Sequence, residues 1–178
     1  METKISSSST EVIISYDRST VMVGERINPS GKKKLTAALQ AGNLDLACQE
    51  ALAQVQAGAH VLDVNVAALG VDEVALLPQV VKAIMAIVNV PLCVDSTNPA
   101  ALEAALKVYQ GKALVNSVSG EEGSLNTVLP IIKHYGAAVV GLTLDEKGIP
   151  ADADRRVAIA HKIVESAALD DCIAVQKE

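Results

Sequence analysis

Apolar runs rich in valine and leucine recur along the chain, each bounded by turn residues and followed by a longer stretch of helical periodicity. Five of them read as strands: VMVGERI (21–27), HVLDVNV (60–66), PLCVDST (91–97), ALVNSVS (113–119) and AAVVGLTL (137–144). None alternates cleanly between apolar and polar positions, which is the pattern of parallel strands covered on both faces. The intervals predict helices over 33–57, 72–88, 98–109, 123–135 and 152–168. Their ends are punctuated: Asn98 and Pro99 suit the cap and first position of a helix, and Gly58 and Gly136 are helix stops. A short run, VIIS (12–15), is expected to close the bottom of a barrel or to form a hairpin with the first core strand; residues 1–11 read as a disordered polar lead-in. This β/α rhythm fits either a complete open sheet of the flavodoxin type or five eighths of a (β/α)8 barrel, and spacing alone leaves both open.

In both architectures ligands bind at the C-terminal ends of the strands. Those ends are polar in all five cases: Glu25, Arg26 and Asn28; Asp63 and Asn65; Asp95, Ser96 and Thr97; Asn116, Ser117 and Ser119; Thr143, Asp145 and Glu146. Burying an unpaired amide costs roughly 2–7 kcal/mol, so five polar strand ends in succession predict a polar cup. Asp63 and Asn65 stand two apart and therefore share one face of their strand. Each residue also has a purely structural reading, Asp95 as a turn residue and Asn116 as a loop partner. For Asp95 the helix start that follows is already accounted for by Asn98 and Pro99, which leaves the acid unexplained by capping. The stretch PSGKKK (29–34) lacks the spacing of a phosphate loop and reads as a solvated basic helix start. Dinucleotide, nucleophile-elbow and His-Glu-x-x-His motifs are all absent.

Composition narrows the function classes. Half of the 178 residues are hydrophobic, enough for one sizeable core and too few residues for two domains. A net charge of -6 with three Tyr and no Phe or Trp removes the basic footprint and the stacking platform of nucleic-acid binders. Cys48, Cys93 and Cys172 lie far apart, so reduced thiols in a cytoplasmic protein are expected, with no metal site. No apolar run approaches the roughly 18 residues of a membrane span, and the first residues lack a signal-peptide core.

Taken in order, VGERINPSGKKKL, AGAHVLDVNV, VPLCVDSTNPAALEAAL, KALVNSVSGEE and GLTLDEKGIP resemble the pterin-binding family. Within it the segments look most like the methyltetrahydrofolate:corrinoid methyltransferases and the folate-binding domain of cobalamin-dependent methionine synthase, and less like dihydropteroate synthase. The resemblance covers about residues 12–168. It implies an α/β fold of the TIM-type (β/α)8 barrel family, of which about five β/α units are present. Carried over by position, it implies that Asp95 and Asn116 hold the pterin ring, that Asp63 and Asn65 line the cup, and that Asn28 and Glu25 stand at its first strand in a lesser role. A carboxylate offers only acceptors and an amide one donor and one acceptor face, so Asp95 and Asn116 together match an amino-pyrimidinone edge. The implied reaction moves the N5-methyl group of methyltetrahydrofolate to the cobalt of a corrinoid protein. Cobalamin is expected on that partner, because the Asp-x-His-x-x-Gly signature of cobalamin-binding domains is missing.

The family continues through three further β/α units, with an aspartate on its sixth strand and an N5-contacting asparagine on its seventh, and neither can be placed here. Residues 169–178 are expected to be an aberrant or truncated tail on a partial barrel spanning 12–168. An unclosed barrel has unpaired edges, so a homo-oligomer is expected. No catalytic residue is assigned. The alternatives are a dihydropteroate synthase-like enzyme, against which GERINPSGKK and DVNV lean, and a noncatalytic pterin-binding remnant.

Overall fold

A computed structural model describes residues 2–169. In chain order it contains β1 (Thr3–Ser6), β2 (Glu11–Ile14), β3 (Val23–Ile27), α1 (Lys33–Gln40), α2 (Asp45–Gln56), β4 (Val61–Val64), α3 (Glu73–Met85), β5 (Leu92–Asp95), α4 (Pro99–Val108), β6 (Leu114–Ser119), α5 (Glu122–Tyr135), β7 (Ala138–Leu142) and α6 (Ala153–Leu169). All five predicted core strands and their helices are present. The tail expected to be aberrant falls, from residue 170 on, outside the described residues.

The core sheet is parallel and runs β3-β4-β5-β6-β7, so spatial order equals sequence order. That order decides between the two architectures left open. A flavodoxin-type sheet places its first strand between two others, whereas here β3 is an edge and each unit adds the next stave, as in a (β/α) barrel. Leu62, Val64, Leu92, Val94, Val115 and Val118 pack with the helices into the main core, while Val61, Cys93 and Leu114 belong to a second apolar cluster. Alternate residues thus serve opposite faces, which is why the strands lack polar alternation.

Two expectations are corrected. The lead-in read as disordered contains β1, which pairs antiparallel with β2; of the two placements expected for 12–15, the one at the barrel bottom is found and the hairpin with the first core strand is not. Ile5 is fully buried against Val61, Cys93 and Leu114, so the hairpin floors the N-terminal end of the sheet. One buried isoleucine among serines was too weak a periodic signal to mark a strand. The phenol of Tyr109 ties this floor down: its hydroxyl donates to Ser6 O at 2.9 Å and accepts from Leu92 N at 3.0 Å. The second correction concerns 33–57, which is two helices. Gly42, at φ +68, ends α1 with its N–H on Leu39 O, and Asn43 Oδ1 accepts from Asp45 N at 2.8 Å to start α2.

Candidate functional site

The parallel registers set the layers of the site. Asp63 pairs with Cys93 across β4 and β5, and Asp95 with Asn116 across β5 and β6. Asn65, two residues beyond Asp63, comes level with Asp95, and its Nδ2 donates to Asp95 Oδ2 at 2.8 Å. Asn65, Asp95 and Asn116 therefore form one polar layer at the strand ends, all half-buried. Asp63 lies beneath that layer, 3% exposed, and accepts at Oδ2 from Asn116 Nδ2 at 3.3 Å. Cys93 and Leu114 are level with it on the next two strands, and Val61 and the hairpin's Ile5 lie below. The result is two interlocked amide–carboxylate pairs standing on an apolar base.

The electrostatics follow from this crowding. Burial pushes Asp63 up from 3.8 to about 6; the neighbouring Cys93 thiol and the hydrogen bond from Asn116 oppose the rise, and the charges of Asp95 and Glu25 add to it. Burial likewise raises Asp95, against the hydrogen bond from Asn65 and with help from Glu25 and Glu73. The Cys93 thiol is held well above its ordinary range, first by burial and then by Asp63, so it is neutral and inert. Three carboxylates from adjacent strands, Glu25, Asp63 and Asp95, thus share one negative field. Such a cup suits a ligand rich in N–H donors or carrying positive charge.

The remaining sequence-predicted residues divide. Glu25 is exposed at β3 and receives Asn28 Nδ2 at 3.1 Å, while Asn28 Oδ1 accepts from Ser30 N at 3.0 Å. Asn28 is thereby a turn residue that steadies Glu25. Arg26 pairs with Glu50 on α2 at 3.2 Å, and Asp145 is gripped by Arg155 of α6 at 2.6 Å, so both polar ends are drawn to neighbouring helices. Ser96 donates to Glu73 at 2.6 Å and Ser119 to Glu121 at 2.9 Å. A cavity of about 370 Å³ opens between the ends of β5–β7 and the helices α4 and α5, its hydroxyl lining supplied by Ser96, Thr97, Ser117, Ser119, Ser124 and Thr127; none of Asp63, Asn65, Asp95 and Asn116 lines it.

Sequence reasoning missed two contributors. Cys93 sits two residues before Asp95 and so on the same strand face, a periodicity that was available to find it. Glu73, the first residue of α3, acts on Asp95 from another element, and no pattern in the chain connects the two.

Comparisons with known proteins bear on what such a cup holds. The family described as pterin binding enzyme matches residues 24–173. Methionine synthase of Mycobacterium tuberculosis is 32% identical over 168 residues, which is 92% of this chain and 14% of that protein. Methionine synthase of Mycobacterium leprae is 29% identical over 187 residues, covering 97% of this chain and 16% of that protein. The chain therefore spans only about 14–16% of the length of these relatives. Among solved structures, a Yersinia pestis dihydropteroate synthase bound to a pterine-sulfa conjugate superposes with a TM-score of 0.64 at 20% identity, over 91% of this chain and 58% of that one. The Vibrio fischeri dihydropteroate synthase gives 0.61 at 17% identity, over 94% and 62%. At such identities the structural likeness speaks for the fold alone.

Proposed function

The chain belongs to the pterin binding enzyme family, and from that premise we propose that its strand-end layer holds the pterin of methyltetrahydrofolate, as part of a methyltransferase that passes the N5-methyl group to a corrinoid protein. The observation that carries this reading is the pair Asp95 and Asn116, in register on adjacent parallel strands, with Asn65 occupying Oδ2 of Asp95. That hydrogen bond fixes the carboxylate and leaves its Oδ1 to accept from the amino and ring N–H groups of the pterin edge. Asn116 supplies the complementary amide beside it. A carboxylate accepting from a donor-rich heterocycle makes charge-assisted bonds, each worth roughly 1.5–3 kcal/mol.

The methyl donor is a tertiary amine nitrogen, a poor leaving group until positive charge develops on it. The residues of this chain contribute by orientation and by field: the layer fixes the ring plane, and the carboxylates of Glu25, Asp63 and Asp95 favour a cationic pterin over a neutral one. The corrinoid, carried by its own protein, supplies the methyl-accepting cobalt. The 32% relative that favours methyl transfer is a methionine synthase, whereas the dihydropteroate synthases share only the fold.

Calorimetric titration of the chain with methyltetrahydrofolate tests the reading. Saturable binding is expected, weakened about 10- to 100-fold in Asp95→Asn, the loss of one charge-assisted bond. Equal affinity in the variant would refute the cup. Addition of cob(I)alamin then separates a transferring enzyme from a module that only holds the pterin.

A further inference from the structure

Among the described residues, Asp63 Oδ1 is the buried side-chain oxygen without a hydrogen-bond partner. Unsatisfied buried acceptors are rare and costly, roughly 1–3 kcal/mol each, so the position asks for a reason. Its other oxygen provides one. An ionised carboxylate can only accept, and Asp63 Oδ2 receives Asn116 Nδ2. The amide of Asn116 is therefore held with its NH2 group down toward Asp63, and its carbonyl Oδ1 is turned up toward the cup. Asn65 differs: its Nδ2 is used on Asp95 and its Oδ1 on Ala67 N at 2.8 Å, so it is locked from both ends. Among the described residues, Asp63 is the hydrogen-bond partner that sets which face Asn116 shows.

We infer that Asp63 is a positioning residue whose ionised carboxylate fixes the orientation of the Asn116 side chain, and that protonation of Asp63 releases Asn116 to turn over. A protonated Asp63 can donate its O–H to Asn116 Oδ1, which makes the flipped amide, NH2 upward, equally acceptable below. The cup then exchanges an acceptor for a donor, and a pterin edge presenting N–H at that point meets a second N–H. This rests on the pterin reading for its consequence in binding, but the coupling of the two side chains does not depend on any ligand. The groups facing Asp63 are Cys93 and Asp95 from β5, Asn116 from β6 and Glu25 from β3. The neighbouring carboxylates resist its ionisation, and burial resists it more, which brings its titration to about pH 6. The switch thus lies close to neutrality instead of in strong acid.

The test has a ligand-free arm and a ligand arm, both on the chain as it stands. In the first, the side-chain NH2 resonances of Asn116, identified by their loss in Asn116→Ser, are followed by nuclear magnetic resonance from pH 4.5 to 8. They are expected to shift with a midpoint near the Asp63 value, and to lose that midpoint in Asp63→Asn. A pH-independent Asn116 signal in the wild type overturns the inference whatever the ligand does. In the second arm, methyltetrahydrofolate affinity is measured across the same range. The wild type is expected to bind about tenfold more tightly at pH 7.5 than at pH 5, and Asp63→Asn, checked for folding by circular dichroism, to bind with a flatter profile. If Asp63→Asn is poorly folded, Asp63→Ser takes its place. Coupling without binding in any protein would leave the positioning role standing and refute the pterin reading. Binding with the same pH profile in wild type and variant would refute the positioning role.

Discussion

Replacing Asp63 by asparagine should change the pH dependence of stability more than stability itself. Asp63 titrates near 6 in the folded chain against 3.8 in its ordinary state, a rise of about 2 units caused mainly by burial. At 1.36 kcal/mol per unit, keeping it ionised in the folded state costs about 3 kcal/mol at pH 7.5. The sign follows from proton uptake: between about pH 4 and 6 the folded form binds the proton more tightly than the unfolded form, so this cost disappears as pH falls through that window. Asp63→Asn removes the charge but places an amide NH2 where Oδ1 had no partner, a penalty of roughly 1–2 kcal/mol that does not vary with pH. The variant is therefore expected to be more stable than the wild type at pH 7.5 by about 1–2 kcal/mol, and less stable at pH 4. Urea unfolding at pH 7.5, 6, 5 and 4, with both proteins in the same buffers, measures the difference while other carboxylates cancel. A difference that stays constant across the series would refute the placement of Asp63 as a buried, unsatisfied acid.

Three other perturbations read the same structure. Asn65→Ala removes the donor on Asp95 Oδ2, so methyltetrahydrofolate binding should weaken about tenfold by calorimetry even though Asn65 is not the reading group. Tyr109→Phe leaves Ser6 O and Leu92 N without their shared hydroxyl; a loss of about 1–3 kcal/mol in urea unfolding is expected, with faster amide exchange in β1. Gly111→Ala drives a Cβ into the backbone oxygens of Ser6 and Ser7 at a residue with φ +120, and should undock the hairpin. Protease accessibility of residues 1–20 would rise in that variant, and an unchanged digestion pattern would show that the hairpin does not depend on the close approach.

Parallel strands, their order of occurrence and most helix limits were legible in the chain because burial on both faces, glycine stops and the Asn98-Pro99 start are local signals. The polar strand ends could be read for the same reason: a carboxylate at the tip of PLCVD is out of place in an apolar run. Local reading erred where the signal was one residue deep. Ile5 reveals its role only against Val61, Cys93 and Leu114, and Gly42 breaks a helix that hydrophobic spacing alone would carry through.

Which polar ends act together was not written along the chain. Five strand tips looked alike in sequence, yet Arg26 and Asp145 are claimed by Glu50 and Arg155, while Asn65 and Asp63 become the supports of Asp95 and Asn116. The chemical types and the strand faces were determined by the sequence, since a period of two follows from the backbone of any strand. The layering was decided by the parallel registers, which set Asp95 level with Asn116 and sink Asp63 one step below them. Register is a property of neighbouring strands and not of either one, so an acid at the rim and an acid beneath it remain indistinguishable until the sheet is assembled.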